Sequence, residues 1–170
     1  KDRLKSIETY SQGLKYTDGA TKRFIDEINQ LDKDVTVVFY GDHLPGIYSY
    51  KDGKSIIDKN FALGHLTDYF IYNNKNNQKL DYPVVVPYEF TSLAMTQTNA
   101  KVTPFYALMT QVQNELPALE INRYIDNARH SGTLMNLSAT QRNLLEDVKM
   151  VQYDIYSNQN YLGRSFYQKE

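Results

Sequence analysis

Val35-Thr36-Val37-Val38-Phe39-Tyr40 is an apolar run rich in β-branched and aromatic residues. It lacks the polar alternation of a half-exposed strand. Such a run predicts a strand buried on both faces, as in a parallel sheet covered by helices. Upstream, Leu14, Phe24, Ile25, Ile28 and Leu31 recur at spacings of three, four and seven. That spacing predicts one apolar stripe on a helix from about Leu4 to Leu31, packing through Phe24, Ile25 and Ile28. Gly13 and Gly19 weaken the helix and allow a break between Gly13 and Asp18, with Asp18 as N-cap of the second part. Asp32-Lys33-Asp34 is a polar turn. Helix, short loop and buried strand make half of a βαβ unit. The expected fold class is therefore α/β, a sheet with helices on both faces.

Beyond the central strand the pattern becomes less regular. Tyr48 to Asn60 is polar and loop-like, with Asp52-Gly53 as a turn signal. Phe61 to Leu66 suits a short helix. Asp68-Tyr69-Phe70-Ile71-Tyr72 reads as a second strand, ended by an Asn-rich surface loop, Asn73-Asn74-Lys75-Asn76-Asn77. Val84-Val85-Val86 lies between Pro83 and Pro87, so it is demoted to an edge or an extended connection. Thr91 to Thr98 suits one or two helical turns. Thr103-Pro104 starts a helix, with Thr as N-cap and Pro at the first position. Its stripe is Phe105, Leu108, Met109, Val112 and Leu116. Ser138-Ala139-Thr140-Gln141 has capping-box spacing and opens a helix with Leu144, Leu145, Val148, Val151 and Ile155 inward. Asn122 to Gly132 reads as irregular. Tyr156 to Glu170 carries no pattern that predicts an element.

The length of 170 residues fits one domain with a real core. Nineteen basic and 20 acidic side chains leave no basic excess, and no Lys/Arg cluster exists, which argues against a nucleic-acid partner. The absence of cysteine excludes disulfides, thiolate zinc sites and a Cys nucleophile. No apolar run approaches the roughly 20 residues of a membrane span. Lys1-Asp2-Arg3-Leu4-Lys5 reads as the middle of a helix, so the chain is expected to be a piece of a longer protein.

The candidate chemistry sits just after the apolar run, in Gly41-Asp42-His43-Leu44-Pro45-Gly46. Gly41 breaks the strand, and Pro45-Gly46 marks a loop. In open α/β sheets the carboxyl end of a strand is where ligands and catalytic groups gather. A carboxylate beside an imidazole, Asp42 with His43, forms half of a divalent metal site. The same pair also fits a turn whose Asp caps the next segment and whose His is solvated. Lys51 and Lys54 follow the loop and are either solvated or available to a phosphate. His65 lies just before the second strand, where a substrate phosphate would approach. His130, in a polar loop with Arg129, reads as solvated.

Tyr16-x-Asp18-Gly19-x5-Ile25-x2-Ile28, followed by Thr36-Val37-Val38-Phe39-Tyr40-Gly41-Asp42-His43-Leu44-Pro45, resembles the C-terminal half of a sulfatase-type domain of the alkaline phosphatase superfamily. Within that superfamily it is most similar to the lipoteichoic acid synthase group of Gram-positive bacteria, whose members are membrane-anchored phosphoglycerol transferases acting in the cell wall. Thr67-Asp68-Tyr69-Phe70-Ile71-Tyr72 resembles the strand after the metal loop. Val102-Thr103-Pro104-Phe105-Tyr106-Ala107-Leu108 resembles a later helix start. Gln152-Tyr153-Asp154-Ile155, with Asn160-Tyr161-Leu162-Gly163, resembles the tail of some members.

The resemblance implies one divalent ion, commonly manganese, with Asp42 and His43 as two of its ligands. The remaining ligands, an acid and a threonine that doubles as nucleophile, would lie upstream. No threonine here occupies that place, so no catalytic nucleophile is expected within residues 1–170. His65 is the candidate substrate-binding residue. The implied reaction moves glycerophosphate from phosphatidylglycerol onto a growing teichoic-acid-type polymer, through a glycerophospho-threonine. The implied partners are that lipid, that polymer and the N-terminal half of the same domain. The implied location is the extracellular face of the cell membrane, anchored by upstream transmembrane helices. The chain alone would be inactive. The alternatives are a sulfatase or another phosphotransferase of the superfamily, or a non-catalytic α/β binding domain.

Overall fold

The computed structural model describes residues 2–47, 50–51, 54–55, 62–76, 78, 81 and 83–168, with only the backbone of 50–51 and 54–55. The chain divides into two compact units, residues 1–75 and 76–170. Both mix helices with small sheets, so the α/β class holds.

The first unit opens with helix α1, Asp2–Asn29, which is unbroken. Each mid-helix glycine costs only about 1 kcal/mol, and no proline forces a stop. Asp18 is therefore interior to the helix and is not an N-cap. The apolar stripe is only partly used. Ile28 is buried and Ile25 half-buried, while Phe24 is 50% exposed and Leu14 and Leu31 are exposed as well. Geometry explains this. A 28-residue helix runs about 42 Å, whereas a five-residue strand spans about 17 Å. The last turn of α1 reaches the sheet, where Asn29 Oδ1 accepts from the Tyr72 hydroxyl.

That sheet pairs β1, Thr36–Tyr40, with a later strand, Tyr69–Asn73, in antiparallel register. The parallel, doubly buried strand expected from the apolar run is not what forms. Val37 and Val38 are half-buried, but Phe39 is 39% exposed and Tyr40 is exposed too, so its ring is not core. Among the described residues this sheet has two strands. Phe39 and Phe70 face each other across the pair and stack at 5.0 Å, nearly parallel.

Between these strands, β2 (Tyr50–Lys51) and β3 (Lys54–Ser55) form a short antiparallel hairpin in the stretch read as loop. The Asp52-Gly53 turn signal lies outside the described residues. Where a short helix was expected over 61–66, residues 62–65 make a single turn, closed by His65 N–H on the Ala62 carbonyl; Phe61 is outside the described residues. The strand Tyr69–Asn73 is β4.

The Asn-rich segment that begins with the last residue of β4 is not simply a surface loop. Asn73 is fully buried, donating to Asp34 Oδ1 and Thr36 Oγ1 and accepting from Lys75 N–H. Asn74 donates to the carbonyls of Ile28 and Lys33 and accepts from Val35 N–H. It thus adds a second donor to the Ile28 carbonyl, which already accepts from Leu31 N–H, and ties the end of α1 to the start of β1.

The second unit begins with Val84–Val86 as an extended connection, whose Val86 N–H bonds the Pro117 carbonyl. A 3₁₀ turn, Pro87–Glu89, leads into α2, Phe90–Gln97. Helix α3, Pro104–Glu115, is capped by Thr103 as expected. Helix α4, Ala139–Ser157, starts with the full Ser138/Gln141 capping box. Leu116, Tyr124 and Leu137 form a buried cluster, with Leu119 and Leu145 against it. Leu144 and Val151 are buried as expected, but Ile155 is 59% exposed. The inward residue on that turn is Asp154. It accepts from the N–H groups of Tyr161 and Leu162 and from the Tyr167 hydroxyl. These bonds fold the tail back after Asn158 ends the helix in left-handed backbone, and α5, Arg164–Tyr167, follows.

Asn122 to Gly132, read as irregular, instead carries β6 (Arg123–Ile125) and most of β7 (Ser131–Thr133), which join β5 (Ala118–Leu119) in a three-stranded antiparallel sheet. Strands of two or three residues are too short to show a period. Gly132 is the signal: a Cβ there would lie 2.7 Å from the Tyr124 hydroxyl oxygen. Among the described residues no helix is long and apolar enough to cross a membrane.

Candidate metal centre

Strand β1 delivers Gly41, Asp42 and His43 to its carboxyl end, as the sequence pattern predicts. Both side chains are largely exposed, Asp42 at 83% and His43 at 79%. His43 Nδ1 lies 3.0 Å from the Leu44 carbonyl oxygen. A carbonyl can only accept, so the bond assigns the proton to Nδ1. Nε2, on the other side of the ring, faces Asp42 Oδ1 at 3.7 Å. A ring N–H held by a backbone carbonyl is the usual arrangement behind a metal-binding imidazole. The donor set, one carboxylate oxygen and one neutral imidazole nitrogen, fits half the coordination of a divalent ion. Among the described residues no group of three or more His, Cys, Asp or Glu gathers into a complete site.

The loop is held from the neighbouring segment. Thr67 Oγ1 donates to the Gly41 carbonyl at 2.7 Å, and Gly41 N–H donates to the Asp68 carbonyl at 3.1 Å. A Cβ on Gly41 would lie 3.0 Å from Thr67 Cβ. Gly41 is therefore needed for this close approach; a positive φ is not among its features. Thr67 is the residue that sequence reasoning missed, and its only signal is a hydroxyl just ahead of a strand.

His65 is exposed at the end of the 62–65 turn, two residues before Thr67. The side chains of Lys51 and Lys54 lie outside the described residues. His130 is exposed on the β6–β7 hairpin, with Nδ1 3.4 Å from Asp126 Oδ2.

A second chemically unusual group sits in the other unit. Glu89 is fully buried, and neither carboxylate oxygen has a hydrogen-bond partner. Burial pushes it up to about 7; the adjacent Ser92 hydroxyl offsets part of this, although it falls short of hydrogen-bond geometry. Its neighbour Tyr88 donates to the Leu119 carbonyl at 2.7 Å. Burial, then the charges of Glu89 and Glu120, push that phenol up to about 12.

A solved structure and two curated sequences are similar to parts of this chain. The structure of Streptococcus pyogenes phosphoglycerol transferase GacH, in complex with sn-glycerol-1-phosphate, is similar over 81% of this chain, at 35% identity and a TM-score of 0.62. A capsular polysaccharide biosynthesis protein of Rhizobium meliloti (strain 1021), RkpI, is 44% identical over 46 residues, 27% of this chain. A second protein of that strain, provisionally assigned to cyclic β-1,2-glucan modification, is 27% identical over 110 residues, 59% of this chain. The chain spans 31% of the GacH structure and 9% and 17% of the two R. meliloti proteins. Residues 1–129 match the model of the Sulfatase family, and with three quarters of its length inside that match the chain belongs to this family.

Proposed function

We propose that this chain is the C-terminal part of a metal-dependent phosphoglycerol transferase, and that Asp42 and His43 hold its divalent ion, manganese by preference. The observation that carries the reading is the Asp42–His43 pair at the end of β1, with His43 Nδ1 on the Leu44 carbonyl and Nε2 turned toward Asp42 Oδ1. The likeness to a phosphoglycerol transferase bound to sn-glycerol-1-phosphate supports the reaction class.

Asp42 contributes charge and an oxygen donor. His43 contributes a neutral nitrogen whose orientation the Leu44 carbonyl maintains. The remaining ligands and the threonine nucleophile belong to sequence upstream of this chain. When bound, the ion would lower the pKa of a hydroxyl nucleophile and offset phosphoryl charge. His65, carried on the segment beside the loop, is the proposed contact for the substrate phosphate. The donor is phosphatidylglycerol, which sets the work at a membrane surface, the extracellular face in this reading, and the acceptor is a hydroxyl on a teichoic-acid-type polymer. The polysaccharide roles in the names of both R. meliloti relatives favour a second acceptor class, a glycan hydroxyl.

The test is glycerophosphate transfer from labelled phosphatidylglycerol by the full-length protein, with each acceptor class offered in turn. Asp42→Ala and His43→Ala should each abolish transfer while the protein stays folded, and Lys51→Ala should be mild. Near-normal turnover of both variants at saturating manganese would remove the pair from the chemistry.

A further inference from the structure

We propose that Thr67 is the positioning residue for the metal loop; this rests on the reading of Asp42 and His43 as ligands. The two side chains are largely exposed, so burial does not fix them. What fixes the backbone beneath them is the start of the neighbouring segment. The last ladder pair of the sheet is Tyr40 with Tyr69. Beyond it, Gly41 N–H reaches the Asp68 carbonyl, and Thr67 Oγ1 closes on the Gly41 carbonyl at 2.7 Å. That carbonyl shares one rigid peptide plane with the N–H of Asp42, so holding the oxygen sets the plane from which Asp42 departs. The Thr67 side chain also fills the space over Gly41, where a Cβ would stand 3.4 Å from Thr67 Cγ2 and 3.0 Å from Cβ. The hydroxyl and the missing Gly41 side chain thus work as one clamp. Thr67 touches neither the ion nor the substrate; it acts through Gly41.

The test is manganese binding to the full-length protein by calorimetry, with no dependence on turnover. Thr67→Val keeps the shape and removes the donor. It should raise the Kd about tenfold, the low end of what loss of a supporting contact costs a metal site. Thr67→Ser restores the hydroxyl and should stay within about twofold of the parent protein. Thr67→Ala serves as the second variant if the valine does not fold. A merely structural threonine would lower the melting temperature of the metal-free protein without moving the Kd, and that result would overturn the proposal. Asp42→Ala separates the two layers of inference. If it abolishes binding while Thr67→Val leaves the Kd unchanged, the clamp alone is wrong. If Asp42→Ala itself leaves the Kd unchanged, the metal reading fails.

Discussion

Glu89 should make this protein less stable as the pH rises through neutrality. The residue stands at the N-terminus of α2, where the helix dipole favours a negative charge by about 0.3–1 kcal/mol. Desolvation is larger and wins, because the carboxyl is fully buried with no partner on either oxygen. An ordinary glutamate titrates at 4.5, and burial pushes this one up to about 7. Between those values the native state holds a proton that the unfolded state has released. Stability is therefore complete below pH 4.5 and is lost as the pH rises to 7. At about 1.4 kcal/mol per pH unit, the loss is on the order of 3 kcal/mol, an upper bound because local relaxation would reduce it. Glu89→Gln keeps the shape of the neutral acid and cannot ionise. Urea denaturation at half-unit steps from pH 5 to 8 should show the variant gaining on the parent protein by up to about 3 kcal/mol at the alkaline end. Parallel stability curves for the two proteins would refute the assignment.

Other substitutions follow from the packing. Asn74→Ala strands the Val35 N–H and removes the side-chain donor at the end of α1, so denaturation should show a loss of about 2–3 kcal/mol. In this chain Ile28→Ala should cost about 2–5 kcal/mol, while the half-exposed Phe24→Ala should cost less than about 1 kcal/mol. Thermal melting of the two variants side by side checks the order. Gly132→Ala drives a Cβ into the Tyr124 ring and should destabilise by about 1–3 kcal/mol, with no rescue from Tyr124→Phe because ring carbons lie at 2.8 Å as well.

What the sequence made legible were features with local chemistry. Thr103-Pro104 and Ser138 through Gln141 announced their helices because a cap needs only the next three residues. The Asp42–His43 pair was legible because a strand ending in glycine fixes where the next side chains emerge. Partnership was harder to read. An apolar run states that a strand is covered, but not by which elements, and β1 pairs antiparallel with β4 instead of lying in a parallel sheet. The α1 stripe has helical spacing along its length, yet only Ile28 finds a deep contact within this unit. Asn73 and Asn74 looked like solvent-facing loop residues because side-chain amides serve buried networks and open loops equally well. Thr67 was silent because its role lies in one hydrogen bond to a residue 26 positions away.

The most direct test of the central claim is the ligand nitrogen itself. Pulsed electron paramagnetic resonance of the manganese-loaded, full-length protein reports nitrogen bound to the ion through its hyperfine coupling. The account predicts one histidine nitrogen, shifted by ¹⁵N-histidine labelling and absent in His43→Ala. A coupling that survives His43→Ala, or no nitrogen coupling in the parent protein, would contradict it.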